Sequence, residues 1–505
     1  MKTIKYLSLT LIAGVLASCS LDKFPETSYT EHNYTDEDQS SDEQYATRED
    51  MLGQLNAMYT DLKNNIQESG YSDWLVCTEV RCDNAYAGST STGEIMALES
   101  NSQDPENKNV VRDWNYYLAR VSKANQIITY IDAIKEKDAT MTQEEHDSWK
   151  AQAYCWRAYN WFNMVRLWGA IPMLDSDPPA ITAENVNEVY SLYYPSRTPV
   201  EEVYDQIIED LEYAVQYAPN TDTADKFKFT KGFAAGMLAR VYAEAPRQDY
   251  DKVKTYCEQV ERMNYSLLDN YGDLWGYDDT DAMRNSSESI FEVTWTRSAG
   301  NWVWMMFHRN YYVPDDSFTW AKWITPSRNL IAAYDAAGDT ERKNASIIED
   351  VCTWSSYYGK DHYMFMHKCP TNATSYILMR LGEIKLLHAE ALANLGELGL
   401  ARDIVNEIRH RAGLGQIPVP TSKQEMLDAV LAERRLELAF EGHRWFDLVR
   451  YGKVLDVVNG ANNSSSDSFD SYVSVRRTLT QQTVLLPVPG TAMDINPNLT
   501  QNKGY

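Results

Sequence analysis

A mostly α-helical fold, built of packed helix pairs and broken by one loop-rich, minor-β stretch, follows from three observations. Long segments within residues 45–263 and 376–505 space their apolar side chains three or four apart, as one face of a helix requires. Between 264 and 375 that spacing gives way to Gly, Asp, Asn and Ser. The chain has 505 residues and 44% hydrophobic content, enough for a large core at a rough prior of about 150 residues per domain.

The N-terminus reads as an export signal. Lys2 and Lys5 precede the apolar run YLSLTLIAGVLAS, which is too short to span a bilayer. The run ends in LASC, similar to the cleavage box of bacterial lipoproteins, and that likeness makes Cys19 the lipidated first residue of the mature chain. Ser18 stands where the box more often has Gly or Ala. Several acyl chains on one cysteine anchor stably where a single chain is marginal. The plainer reading is an ordinary cleaved signal with Cys19 incidental. Residues 1–18 are then signal peptide and 19–44 a polar, acidic tether. No later run of about 18 apolar residues offers a span.

A helix is expected near 45–64, and residues 65–110 read mostly as loop. The segment 110–134 places Trp114, Leu118, Val121, Asn125 and Ile128 on one face. HDSWKAQAYCWRAYNWFNMVRLWG (146–169) is bulky on nearly all sides, so it is a helix buried between neighbours, stopped by Gly169 and Pro172. In 198–219, Thr198 is the expected cap, Pro199 suits the first helical position, and Glu201 and Glu202 favour the positive end. Further helices are expected at 231–244 and 251–263, and these complete a helical region over 45–263. In SIFEVTWT (289–296), Phe291, Val293 and Trp295 alternate onto one strand face, which assigns Trp295 to the core. Helices resume at 376–396 and 400–413, a hairpin whose large-beside-small texture is tetratricopeptide-like. SKQE (422–425) offers a capping box to the helix that follows. A Ser/Asn-rich loop covers 459–470.

Charge narrows the function. Lys and Arg total 47 against 73 Asp and Glu, a net −26. Nucleic-acid binding needs a basic footprint, so that class is excluded, and sulfated or uronate-rich polymers are disfavoured. A neutral ligand fits this balance. Surface solubility alone also accounts for it. Six cysteines follow Cys19: Cys77, Cys82, Cys155, Cys257, Cys352 and Cys369. They form no CxxC and no zinc spacing. Cys77–Cys82 and Cys352–Cys369 are the nearest disulfide candidates, and most of the six read as buried thiols. No EF-hand string, metal site or cofactor motif is present, and neither GxSxG nor a phosphate-binding loop appears. HYMFMH sets His362 and His367 five apart without HExxH, and His388 reads as a helix-face residue.

Two features invite a site. In ERRLELAFEGHRWFDLVRYGK (433–453), Glu437 and Glu441 lie four apart, within reach of the shorter carboxyl separation of glycoside hydrolases. Side by side on one helix they point the same way, whereas the sugar bond must pass between the two acids. Arg434, Arg435, Arg444 and Arg450 crowd the same stretch, with Asp447 opposite, and bound arginines lower a carboxylate pKa. A structural ion-pair network is therefore the preferred reading. The second feature is aromatic. Residues 295–323 hold Trp295, Trp302, Trp304, Phe307, Tyr311, Tyr312, Phe318, Trp320 and Trp323, nine rings in a chain that is 12% aromatic. Indole faces stack on sugar rings, and planar polar side chains bind vicinal hydroxyls. YSDWLVCTEVRCDNAY (71–86) supplies that mixture with Trp74, Arg81, Asp83, Asn84 and Tyr86. The candidate ligand-binding residues are these five with Trp302, Trp304, Tyr311, Trp320 and Trp323. The plainer reading is that the aromatics fill a large irregular core.

Segment 433–453 closely resembles the C-terminal hallmark of the SusD-like (RagB/SusD) outer-membrane nutrient-binding lipoproteins. AYCWRAYNWFNMVRLWGAIPML, TPVEEVYDQIIEDLEYA, LMRLGEIKLLHAEALANLG and LLPVPGTAMDINPNLTQNKGY agree with that family in order, across essentially the whole chain. Lys503 stands where the family often has Pro. The resemblance implies a tetratricopeptide-like helix-pair scaffold, with 264–375 as the loop-rich part of the ligand site and 376–505 as a C-terminal helical region. It implies no enzymatic activity and no cofactor. It implies a lipid-anchored protein on the outer-membrane surface of a Gram-negative bacterium. Such a protein captures glycan for a SusC-like TonB-dependent transporter. A peptide or glycoprotein ligand, or a surface hydrolase, are the alternatives.

Overall fold

The structure, a computed structural model, describes residues 45–88, 93–182, 184–221, 224–276, 284–308, 323–352, 354–355, 357–461 and 475–505. Cys19, Tyr311 and Trp320 lie outside them. The scaffold is a run of helix hairpins. Lys108–Lys137 packs on Gln143–Trp168, which packs in turn on Val200–Tyr217. Lys231–Ala243 and Tyr250–Glu261 follow, and Tyr250–Glu261 lies against Leu381–Asn394. Leu398–Arg411 and Lys423–Glu437 close the run. The chain thus leaves the helical stack at 262 and rejoins it at 381.

Local chemistry sets the ends. Thr142 and Glu145 form a reciprocal capping box at the start of Gln143–Trp168. Gly169 ends that helix at φ +74, a conformation that favours glycine. Trp156, Trp161 and Trp168 are fully buried on this helix, as its all-round bulk predicts. Thr198 does not cap Val200–Tyr217: it pairs with Ile171 in a two-residue ladder, and Pro199 holds the cap position without a side-chain bond. At 422–425 only half the expected box forms. Ser422 accepts the Glu425 N–H at 3.2 Å, while the Glu425 carboxylate reaches Thr421.

Three other expectations are corrected. Residues 65–80 are not loop, because the helix Arg48–Asn65 runs on into π-helical turns Ile66–Asp73 and Val76–Val80, and another helix covers Gly93–Ser100. The segment 376–396 starts as a strand, Tyr376–Arg380, which pairs antiparallel with Ser289–Val293 before the helix begins. The six described cysteines are buried and none is in a disulfide, so neither Cys77–Cys82 nor Cys352–Cys369 is bridged. Trp295 lies in the core as expected.

The 71–86 segment and the 433–453 hallmark, unlinked in sequence, are each other's partners. The hallmark is two helices, Lys423–Glu437 and Arg444–Arg450, joined by a turn with Phe440 at φ +62 and Gly442 at φ +82. Arg444 binds Asp83 bidentately at 2.9 and 2.8 Å, and Arg435 adds 3.0 Å. The Gly442 N–H and the Asn84 amide both donate to Glu79. Trp74 stacks on Phe446 with centroids 5.3 Å apart, and Arg81 lies 4.0 Å over the Trp445 ring. A Cβ on Gly442 would sit 2.0 Å from Trp74 Nε1, so this approach needs glycine. Replacing Asp83 by Ala strands two buried guanidiniums, a loss on the order of 3–5 kcal/mol. We expect Asp83→Ala to lower the denaturant midpoint sharply in equilibrium unfolding, and an unchanged midpoint would contradict this account.

Candidate functional site

The candidate site residues within 71–86 all take part in this docking. Trp74, Arg81, Asp83, Asn84 and Tyr86 are all buried. Arg81 donates to Asn101 Oδ1 and to the Thr483 carbonyl, and the Tyr86 hydroxyl accepts the Arg328 N–H at 3.2 Å. Their polar groups are engaged within the fold. The mixture of rings, Arg, Asp and Asn that suggested sugar binding is also what a buried ion-pair seam requires.

The hallmark glutamates are likewise engaged. Arg380 donates to Glu437 Oε1 at 2.6 Å and to Glu441 at 2.7 and 2.8 Å. Arg342 and Arg411 also bind Glu437, and Lys368 donates to Glu441 at 2.7 Å. These cations hold both carboxyls below their ordinary range against the opposing effect of burial. A general acid needs the reverse shift. The helix ends at Glu437, so the pair does not share a helical face as expected. The two carboxylates meet on Arg380.

A narrow polar cavity beside the seam is lined by Trp74, Arg166, Arg240, Glu244, His443 and Asp447, among others. Most of its charges are already paired: Arg240 with Glu383, Arg434 and Arg450 with Asp447. Burial pushes the His443 imidazole down to about 4. The unfolded chain takes up this proton near 6.5, whereas the folded chain takes it up only near 4. Stability therefore falls as pH drops through that interval. We expect His443→Gln to lose less thermal stability than wild type between pH 7 and pH 4.5.

The other half of the aromatic prediction lies at the surface. Trp302, Trp304 and Trp323 are half-buried. Trp302 caps the 3-10 turn Val303–Met306, which carries Trp304, and the Trp323 N–H donates to the Met306 carbonyl at 3.1 Å, which brings the third alongside. The support beneath is rigid. The Asn301 side chain accepts the Trp304 N–H at 3.2 Å and donates to the carbonyls of Asn372 and Thr374, both at 3.0 Å. Gln67 Oε1 accepts the Trp302 N–H at 2.7 Å. Phe307 packs on Tyr71 at 5.5 Å, and Tyr71 stacks on Tyr376 at 3.9 Å. Half-buried indoles on a pinned turn offer apolar faces at little entropic cost. Sequence reasoning missed Gln67 and Asn301, since a lone amide in an apparent loop carries no pattern. No group of three His, Cys, Asp or Glu among the described residues is placed to hold a metal, and no described helix is long and apolar enough to cross a membrane.

The architecture is that of a helix-hairpin scaffold carrying an aromatic surface on irregular loops. The family model described as "SusD family" matches residues 366–505, and the one described as "Starch-binding associating with outer membrane" matches 33–243. The chain belongs to the SusD-like family. It is 26% identical to SusD-like protein P38 of Formosa agariphila over the full length of both chains. Among solved structures, a laminarin-binding SusD-like protein superposes with a TM-score of 0.70 at 20% identity, covering 91% of this chain and 100% of that one. Surface glycan-binding protein A from Bacteroides thetaiotaomicron, in complex with laminarihexaose, gives 0.72 at 19%, covering 90% and 99%.

The Asn301 side chain holds the turn through buried bonds, whereas the indoles are half-exposed. We expect Asn301→Ala to cost about 1–3 kcal/mol, read as a lowered Tm, and Trp302→Ala to shift Tm far less.

Proposed function

We propose that the protein is a non-catalytic, lipid-anchored glycan-binding protein of the outer-membrane surface that captures neutral oligo- or polysaccharide for a SusC-like TonB-dependent transporter. The observation that carries this reading is the trio Trp302, Trp304 and Trp323, held half-exposed on a pinned backbone. Laminarin and laminarihexaose, each named for one structural neighbour, are neutral glycans, in keeping with stacking on indoles and with the net charge of −26. Tyr311 and Trp320, from the same aromatic segment, are proposed as further ligand contacts. The family description ties these proteins to the outer membrane, and lipidation at Cys19 supplies the anchor. The hallmark carboxylates are committed to arginines and a lysine, which supports a role without hydrolysis.

The test is a titration of the chain from Ser20 onward with soluble starch and laminarin, following Trp fluorescence and released reducing ends. Saturable binding without product is expected, and Trp302→Ala with Trp304→Ala should weaken it by tenfold or more, about 1.4 kcal/mol. Product release by the pure protein overturns the capture role. Wild-type affinity in the double variant overturns the site.

A further inference from the structure

We infer that Gln67 is the specificity residue of this aromatic surface: its side-chain Nε2 donates to an acceptor oxygen of a neutral glycan stacked on Trp302. The inference rests on the reading of the Trp302 surface as the glycan site.

The amide orientation is set by its neighbour. The Trp302 backbone N–H needs an acceptor, and Oε1 of Gln67 stands 2.7 Å away, so Nε2 must be the other arm. Gln67 is only 8% exposed, its Oε1 is committed to Trp302, and no acceptor is bonded to its Nε2 among the described residues, so that arm stays open to solvent. A donor kept unpaired beside a half-exposed ring is poised for a ligand. Its partner must be an acceptor, and a stacked pyranose presents hydroxyl and ring oxygens at its edge while its C–H face covers the indole.

The support is fixed well enough for such selection. Gln67 lies on the π-helical turn Ile66–Asp73, a form that recurs at functional sites. The Tyr376 hydroxyl donates to the Gly70 carbonyl at 3.0 Å, and Tyr71 is stacked beneath. A Cβ at Gly70 would fall 2.6 Å from Ile66 Cγ1, so the turn is tightly wound at this point. Because Gln67 and Trp302 share a hydrogen bond, the donor and the stacking face hold one geometry.

Gln67→Glu tests this directly, because it keeps an oxygen for the Trp302 N–H and replaces the NH2 donor by an acceptor. Affinity electrophoresis in gels containing laminarin or soluble starch is run at pH 7.5 and pH 4.5, with circular dichroism to confirm folding. Wild type is the control at both values, since the neighbouring Glu68, Asp73 and Arg112 are common to both proteins. Gln67→Glu should bind about tenfold more weakly at pH 7.5 and recover toward wild type at pH 4.5, where the protonated carboxyl again donates. Wild-type affinity of Gln67→Glu at both values, with Trp302→Ala defective, overturns the role of Gln67 and leaves the aromatic site standing. Wild-type affinity of Trp302→Ala, or no retention of wild type by either glycan, overturns both. Should Gln67→Glu not fold, a crystal of wild type with laminarihexaose decides. A sugar oxygen within about 3 Å of Nε2 supports the role, and a sugar on Trp302 with none in reach overturns it.

Discussion

The guanidinium of Arg380 is the interaction on which the rest depends. It stands where the strand Tyr376–Arg380 turns into the helix Leu381–Asn394. All five of its N–H donors are used: two on Glu437, two on Glu441 and one on Glu288. Around it, Arg342, Arg409, Arg411 and Lys368 share Glu288, Glu433, Glu437, Glu441 and Asp339. Five cations therefore face five carboxylates in the interior. Desolvating so many charges is tolerable only when each is matched and hydrogen-bonded. The crowding leaves no room for even a methyl group at Gly382, whose Cβ would lie 2.4 Å from Arg380 Nη1. This network joins the loop-rich region to the helical stack at the point where the chain re-enters it.

From that junction the order reaches the surface through aromatic contacts. Tyr376 begins the strand that Arg380 ends, and its ring lies flat on Tyr71. Tyr71 belongs to the π-helical turn that presents Gln67, and it also packs on Phe307 at the end of the tryptophan turn. The exposed indoles are thus a few contacts from the most heavily charged part of the core. A binding surface on irregular backbone gains its definition from such support, because the loop itself supplies little.

Helix pairs were legible because their faces follow a spacing of three and four: Trp114 and Val121 are buried where the stripe puts them. The arginine-rich hallmark was legible as ion pairs because two carboxylates cannot stay unpaired among so many cations. The π-helical turns after Asn65 escaped because their period departs from 3.6, and Gly70 imitates a loop signal. The strand at 376–380 escaped because its residues are buried on both faces and leave no alternation. Rings beside Asp, Asn and Arg suit a ligand site and a buried seam equally in sequence. The partner segment of this seam lies more than 300 residues away, beyond the reach of any local pattern.

That separation shapes how the molecule is made. Residues 81–168 find their partners in the last thirty positions: Arg81 with the Thr483 carbonyl, Ala85 with Arg477, Leu167 with Leu486, Trp168 with Pro487, Gln103 with Tyr505. Closing contacts so distant in sequence is slow, and until the final segment has left the ribosome the early helices lack a wall of their core. The nascent chain is therefore kept from locking prematurely.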